Sequence, residues 1–284
     1  MNMHTPLLLW ISSASLIVAG VLYADTSKVP PEAESPQKVQ ARPDAETLPQ
    51  APEGKAWRMI WHDEFDGAQL DDAKWETPPD GPRHDGWWMR KAVSLDGQGH
   101  LVIQTSREGD RIVDGCVRTK GKFAHALGYY VARVRLPREQ GHWPAFWLFE
   151  GCHVQGSNWW NGSEIDIFEK FWPNDEVKHT LYWDPAGDHR LKEWSQTVTV
   201  PGIREGWHTF ALWWRPDAYV YYVDGRESWR INPGAVTQVP QYIKLSDETA
   251  AWCKDISKAK LPDVFVVDYV RVFDLGDAPP TDAR

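Results

Sequence analysis

The chain has 284 residues, a formal net charge of −9 at pH 7 and a pI of about 5.6. This charge argues against a nucleic-acid partner, because proteins neutralise phosphates with clustered Lys and Arg. The length suits one large domain, whose core would need neither a metal nor a disulfide for stability.

The first 24 residues are predicted to direct export. Residues 7–24 are apolar and uncharged, with a length typical of either a secretory signal or a membrane span. We therefore expect residues 1–24 to be a signal peptide or an N-terminal membrane anchor. The protein would then be secreted, periplasmic or cell-surface anchored, and in the anchored case tethered to a membrane.

Two further segments are predicted to lack a fold of their own. Residues 25–54 contain six prolines among charged and small residues. Such a composition buries too little apolar area to fold, which predicts a disordered linker. The last ten residues, 275–284, are predicted to be a disordered tail.

Residues 55–274 are predicted to form one all-β domain. Short runs of alternating apolar and polar residues are separated by Gly, Pro, Asp and Asn, and no long run has a helical period. Asp224-Gly225 indicates a hairpin turn. The pattern is typical of a β-sandwich. The predicted strands include residues 100–105, 131–136, 144–150, 177–183, 207–214, 218–223 and 264–273.

Tryptophan is unusually frequent. The chain has 18 Trp, and all but Trp10 lie between Trp57 and Trp252. Indole rings fill cores, but their flat faces also stack on sugar rings. The number exceeds what a core of this size needs, so we expect some Trp side chains to line a groove.

The cysteines indicate neither a metal site nor a particular disulfide pairing. Cys116, Cys152 and Cys253 are an odd number and have no metal-ligand spacing. One disulfide with one free thiol is compatible with an exported protein, and so is no disulfide at all.

Three acids lie within six residues of a predicted strand, in Ser163-Glu-Ile-Asp-Ile-Phe-Glu169. A regular strand would place Glu164 and Asp166 on one face and Glu169 on the other. One extra residue near Ile167-Phe168, a β-bulge, would bring Glu169 back to the face of the other two. Paired carboxyl groups are the catalytic groups of a retaining glycosidase, one as nucleophile and one as acid and then base.

Five sequence blocks, in order, resemble glycoside hydrolase family 16. The catalytic signature of the family, in its bulged form, is similar to Glu164-Ile-Asp-Ile-Phe-Glu169. The other blocks are Trp61-His-Asp-Glu-Phe-Asp66, Gly141-His-Trp-Pro-Ala-Phe-Trp147, Trp207-His-Thr-Phe-Ala-Leu-Trp-Trp214 with Tyr222-Val-Asp-Gly225, and Val267-Asp-Tyr-Val-Arg-Val272. Together they span the whole predicted domain.

The resemblance implies a jelly-roll β-sandwich with a substrate cleft on its concave sheet. It implies that Glu164 is the nucleophile, Asp166 an assisting acid and Glu169 the general acid/base. His179 matches a position that reaches the acids or the sugar, although a buried core histidine is the alternative. We expect substrate to contact His179, Trp143, Trp147, Trp160, Trp88 and Arg90.

Many members of the family also hold a structural Ca²⁺ away from the cleft. In this chain Glu64 and Asp268 occupy the matching places. No other cofactor is expected for catalysis, since no phosphate-binding glycine loop is present.

The bulged signature leaves the polysaccharide open. Residues 240–249, PQYIKLSDET, differ from the stretch usual in β-1,3-glucanases, which slightly favours a marine galactan such as agar, porphyran or carrageenan. Arg83, Arg90 and Lys91 could bind its sulfate esters, or could be ordinary solvated charges. An endo-β-1,3-glucanase, a transglycosylase and a non-catalytic carbohydrate-binding protein are the alternatives. We expect a monomer.

Overall fold

Nearly every regular element of the described chain is a β-strand. The computed structural model describes residues 48–151, 162–184 and 192–279, which belong to one compact unit. Three single-turn 3₁₀ helices, Arg90–Ala92, Ala251–Cys253 and Ile256–Lys258, accompany the strands. The sixteen strands within these ranges are β1 Lys55–Asp63, β2 Gly81–Arg83, β3 Gly86–Trp88, β4 Val93–Leu95, β5 Leu101–Glu108, β6 Arg111–Arg118, β7 Gly128–Arg135, β8 Ala145–Phe149, β9 Ser163–Glu169, β10 Glu176–Trp183, β11 Lys192–Thr199, β12 His208–Trp214, β13 Tyr219–Val223, β14 Arg226–Ile231, β15 Tyr242–Asp247 and β16 Asp263–Asp277.

The strands form two layers joined through the β5–β6 hairpin. The first layer has the order β11-β10-β9-β8-β15-β6, and the second has the order β5-β16-β7-β12-β13-β14. Strand β1 pairs with β16, and β4 pairs with β5. All neighbours within the two layers are antiparallel, and strands far apart in sequence lie side by side, as β8 and β15 do.

The main core lies between the two layers. Phe168 of β9 stacks on Phe210 of β12, with ring centroids 4.0 Å apart, and meets Phe265 of β16 edge-on. Apolar residues at alternate positions on each strand face this core, which is the pattern that selects strands over helices here. The arrangement confirms the predicted jelly-roll β-sandwich.

Strand β13 is buried on both faces. Tyr219 and Tyr221 point into the main core, while Val220 and Tyr222 join a second apolar cluster on the far side of the second layer. The predicted hairpin turn follows β13, where Asp224 and Gly225 have φ of 49° and 71°. Two consecutive positive φ values suit Asp-Gly and match the twist of the strands.

Strand β9 contains the predicted bulge. Against β10, Glu169 pairs with Lys178 and Asp166 pairs with Thr180, so two residues of β9 between these pairs lie opposite one residue of β10. The register against β8 shifts at the same place. Both Ile167 and Phe168 are fully buried in the main core. The core therefore accepts two adjacent apolar side chains, and Glu169 is returned to the opposite face.

The ends of the domain differ slightly from the prediction. Strand β16 continues to Asp277, which pairs with Lys55, so residues 275–277 belong to the sheet and not to a disordered tail. Leu48 packs against the second cluster and Pro49 accepts a hydrogen bond of 2.7 Å from Trp57. The last residues of the predicted linker therefore contact the domain.

The predicted export segment, residues 1–24, lies outside the described residues. Within the described ranges no helix is long and apolar enough to cross a membrane.

Candidate active site

The outer face of the first layer carries the three acids. Here "outer face" means the side of β10, β9, β8 and β15 that points away from the main core. Its side chains form three cross-strand rows across these four strands. In strand order the rows are Tyr182, Glu164, Phe149 and Tyr242; Thr180, Asp166, Trp147 and Lys244; and Lys178, Glu169, Ala145 and Ser246.

Glu169 is held by two side-chain donors. The indole Nε1–H of Trp143 donates to Oε1 at 3.0 Å, and the hydroxyl of Thr180 donates to Oε2 at 2.8 Å. Each carboxylate oxygen therefore has a fixed partner, which restricts the orientation of the group. Glu169 is buried although it carries a polar group on the outer face.

The environment favours retention of protons by the acids. Burial raises the pKa of Glu164, and repulsion from Glu169 raises it further. Burial likewise raises the pKa of Glu169, while the hydrogen bond from Thr180 opposes this shift. The pKa of Asp166 lies well above its ordinary value because the group is buried and both glutamates repel its charge. Such raised carboxyl pKa values are what acid and base catalysis near neutral pH needs.

Aromatic side chains flank the acids at one end of the outer face. Trp143 packs against His84, Phe171 and Trp252, with ring centroids 5.3 to 5.4 Å apart. The side chain of Trp252 is 52% exposed, whereas most of the large apolar side chains of the domain are buried. An exposed indole beside a fixed one offers a flat surface on which a sugar ring can stack.

A buried polar network supports Trp143 from behind. Asp247 accepts from the backbone N–H of Trp143 at 3.2 Å and pairs with His142 Nδ1 at 2.8 Å. Burial opposes the charge of His142, but Asp247 outweighs it and raises the pKa of the imidazole. Thr105 donates to the same carboxylate. The indole that contacts Glu169 is thus fixed at its backbone by a charge-assisted pair.

The predicted contact of His179 with the acids or substrate is wrong. His179 is 0% exposed and faces the main core, because β10 is regular and Lys178 and Thr180 take the outer positions. Its Nδ1–H donates to the carbonyl of Ile167 at 2.6 Å, and Ser228 donates to Nε2 at 2.9 Å. Burial lowers the pKa of His179 to about 4, so the ring is neutral at neutral pH. The alternative, a satisfied core histidine, is confirmed.

His179 still has a bearing on the acids, through the backbone. The carbonyl that it contacts belongs to Ile167, one of the two residues of the bulge. A bulge leaves backbone groups without a ladder partner. The imidazole satisfies one of them from inside the core and so holds the bulge that positions Glu169.

The other predicted substrate contacts lie in different places. Trp147 is on the outer face beside Asp166, and its Nε1–H donates to Ser246 at 3.1 Å. Trp88 is on β3, which pairs with β6, and the guanidinium of Arg83 lies over its ring. Arg90 is exposed in a 3₁₀ helix, where its backbone N–H donates to Asp80. Trp160 lies outside the described residues.

Two of the three cations predicted to bind sulfate are already paired. Arg83 donates to both carboxylate oxygens of Glu248, at 2.9 and 3.4 Å, and Lys91 pairs with Glu108 at 2.5 Å. The Lys91 pair lies on the exposed surface and does not belong to the outer face.

The predicted Ca²⁺ ligands form ion pairs with arginines. Glu64 is held by Arg271 through two hydrogen bonds of 2.8 and 2.9 Å, and Asp268 by Arg133 at 2.5 Å. A guanidinium beside a carboxylate competes with a bound cation. No group of three or more His, Cys, Asp or Glu suited to a metal occurs in the described residues. The Ca²⁺ site gains no support at these two residues and stays a prediction.

Two of the three cysteines lie in the described residues, and neither forms a disulfide. Cys116 and Cys253 are buried free thiols, and Cys152 lies outside the described residues. Burial raises the pKa of Cys116 to about 12, so this thiol is not a nucleophile at neutral pH.

The sequence interpretation missed Thr180 and Lys244. Both occupy the row of Asp166: Thr180 is on the adjacent strand on one side, and Lys244 is two strands away on the other. Thr180 lies in a predicted strand, and Lys244 lies within residues 240–249. Their neighbours Leu181, Ile243 and Leu245 are core residues, so strand alternation would turn Thr180 and Lys244 outward. The sequence did not reveal the strand pairing that puts β10 next to β9 and β15 next to β8.

Comparison with known proteins agrees with this geometry. The sequence profile described as glycosyl hydrolases family 16 matches residues 81–269. The chain belongs to glycosyl hydrolase family 16. The family assignment and the enzyme class predicted from the sequence are thereby confirmed: the protein is a glycoside hydrolase.

Individual members of family 16 are identical to this chain at about a quarter of the aligned positions. A beta-glucanase from Rhodothermus marinus is 28% identical over 246 residues, which cover 76% of this chain and 85% of the relative. A keratan-sulfate endo-1,4-beta-galactosidase from Sphingobacterium multivorum is 26% identical, over 77% of this chain and 56% of the relative. The X-ray structure of the laminarinase from Rhodothermus marinus superposes with a TM-score of 0.67 at 27% identity, covering 78% of this chain and 99% of the laminarinase.

The opposite orientations of His179 and Thr180 can be tested with one substitution at each. His179→Phe keeps the ring but leaves the Ile167 carbonyl unsatisfied, so the free energy of unfolding should fall by about 1–3 kcal/mol with KM unchanged. Thr180→Val should keep the fold and lower kcat, because Glu169 loses a donor. Denaturant unfolding and steady-state kinetics give both quantities. A higher KM with wild-type stability in His179→Phe would contradict the core placement.

The contact of Trp143 with Glu169 predicts a shift in pH dependence. The indole hydrogen bond favours the ionised form of Glu169, so Trp143→Phe should raise the pKa of Glu169 further. If protonated Glu169 is the acid, the basic limb of the kcat/KM profile should move to higher pH. Trp252→Phe, which removes no donor to the acids, is the control. An unchanged basic limb in Trp143→Phe would contradict the role of this hydrogen bond.

Proposed function

We propose that the protein is a retaining endo-β-glycosidase that cuts a β-linked polysaccharide by double displacement, with Glu164 as nucleophile and Glu169 as acid/base. The observation that carries the proposal is the bulge in β9, which puts Glu164, Asp166 and Glu169 on one face. Endo action fits an outer face that spans several strands on both sides of the acids, because a long chain can lie across it.

In the first step Glu164 attacks the anomeric carbon while Glu169 donates its proton to the glycosidic oxygen. The bond between that oxygen and the anomeric carbon breaks, and the sugar is held as an ester of Glu164. In the second step Glu169, now a carboxylate, takes a proton from water as the water oxygen attacks the same carbon. The ester bond breaks, Glu164 is released, and the product keeps the β configuration.

Asp166 supports the nucleophile in this scheme. It lies between the two glutamates in the strand, and burial together with the charges of both glutamates raises its pKa well above the ordinary value, which favours the protonated form. A protonated Asp166 beside Glu164 is a donor and adds no negative charge to the pair. It would thereby favour the ionised form of Glu164, which attack requires.

The proposed substrate is a galactan, with a β-1,3-glucan as second candidate. Support for galactan comes from residues 240–249, where β15 carries Lys244 on the outer face, and from the keratan-sulfate galactosidase relative. Support for glucan comes from the beta-glucanase and laminarinase relatives, of which the chain covers 85% and 99%. Activity of the protein on agarose, porphyran, carrageenan, keratan sulfate, laminarin and mixed-linkage glucan, followed as oligosaccharide ladders, decides between the two.

The roles of the two glutamates predict different rescue behaviour. Glu164→Gln should reduce kcat by at least about 10³-fold, because a covalent nucleophile is lost, while binding and folding persist. Glu169→Ala should be inactive on polysaccharide but regain rate with azide on a substrate with an activated leaving group. Initial products observed by NMR should be β-anomers. An active Glu164→Gln variant, or α-anomers released first, would overturn the mechanism.

A further inference from the structure

Lys244 is a buried cation without a hydrogen-bond partner in the described residues. It lies on the outer face, because its neighbours Ile243 and Leu245 point into the core. Only 6% of Lys244 is exposed. No ion pair or hydrogen bond of its ammonium group exists within the described ranges.

Aromatic rings surround this ammonium group. Its Nζ lies 3.3 Å from the ring centroid of Trp147, 5.2 Å from that of Trp88 and 5.6 Å from that of Phe149. Ring faces attract a cation but accept none of its three N–H groups in a full hydrogen bond. The rings therefore hold the group in place and leave its donors unused.

Neighbouring cations have a carboxylate in direct contact, whereas within the described chain Lys244 has only the longer-range attraction of carboxylates such as Glu248 and Glu164. Arg83 is held by Glu248, and Arg118, which is cross-strand from Lys244 on β6, is paired with Glu76 at 2.6 Å. Burial lowers the pKa of Lys244 to about 8, which leaves it mostly charged at neutral pH. Burying a charge without a partner is costly unless something supplies the partner.

The position of Lys244 suits a sugar next to the cleaved linkage. It is two strands from Glu164, across β8, which corresponds to about 10 Å between strands. Its ammonium lies along the same row as Asp166 and Trp147, and its charge opposes the rise that burial causes in the pKa of Glu164. A chain that crosses the strands over the acids passes over this row.

We propose that Lys244 is the floor of a subsite for an anionic substituent on the polysaccharide, either a sulfate ester or a carboxylate. The inference rests on the proposed function, since it places the substituent on the glycan that the three acids cut. Oxygens of either anion would accept the unused N–H donors, and Trp88 and Trp147 would exclude water from the contact. The subsite would make the enzyme selective for charged over neutral polymers.

Binding tests the subsite without requiring turnover. The full-length protein as the inactive Glu164→Gln variant is compared with Glu164→Gln/Lys244→Met by calorimetry. The probes are keratan sulfate and chemically desulfated keratan sulfate, then carboxylated laminarin and laminarin. Lys244→Met should weaken binding of the charged probes by about 10–100-fold and change binding of the neutral ones by less than about threefold. Lys91→Met, a cation paired with Glu108, is the control and should change neither.

Each result has a definite meaning. A loss confined to keratan sulfate identifies a sulfate ester, a loss confined to carboxylated laminarin identifies a carboxylate, and a loss for both shows that charge alone is recognised. Equal losses for charged and neutral probes, or none, overturn the subsite and leave Lys244 as a packing residue. Selective binding without hydrolysis of any polymer by the wild-type protein would instead contradict the proposed function and leave the anion subsite standing.

Discussion

The active site depends on one extra residue in strand β9. Without the bulge, alternation would send Glu169 into the core, where an acid without Trp143 and Thr180 would be severely destabilising. With it, Ile167 and Phe168 both enter the core, and the stack of Phe168 on Phe210 fixes β9 against the second layer. Apolar packing on one side of the strand thus determines where the carboxylates lie on the other.

Strand β9 is held by contacts on both its core face and its outer face. On the core side His179 satisfies the bulge carbonyl of Ile167 and is itself satisfied by Ser228. On the outer side the indole of Trp143 meets Glu169, and the backbone of Trp143 is fixed by the buried pair of Asp247 and His142. Catalytic groups hold their geometry only when such second contacts lock them. The site is therefore built from β8, β9, β10 and β15 together.

Electrostatics on the outer face are divided between two regions. Around β9 the three acids are buried close together, and this burial and their mutual repulsion raise the pKa values of Glu164 and Asp166. Around β15 a single lysine is buried among Trp147, Trp88 and Phe149. In the proposed function the acidic region cleaves the bond, and in the proposed subsite the cationic region contacts the chain beside it. Under these two proposals, one face would combine a reaction common to the family with selection of a particular polymer.

The sequence alone determined the fold class, the family and the three acids, because alternation, turn residues and the bulged signature are local patterns. It also favoured a bulge near Ile167, since three acids on one face require an extra residue. Only the tertiary structure decided that His179 faces the core and Thr180 the acids, because a strand pattern does not tell which face will be inside. It alone brought Lys244 beside Trp147 and Trp88, and paired Arg83 with Glu248. Contacts between strands far apart in the chain depend on register, which the two packed layers fix and no local pattern encodes.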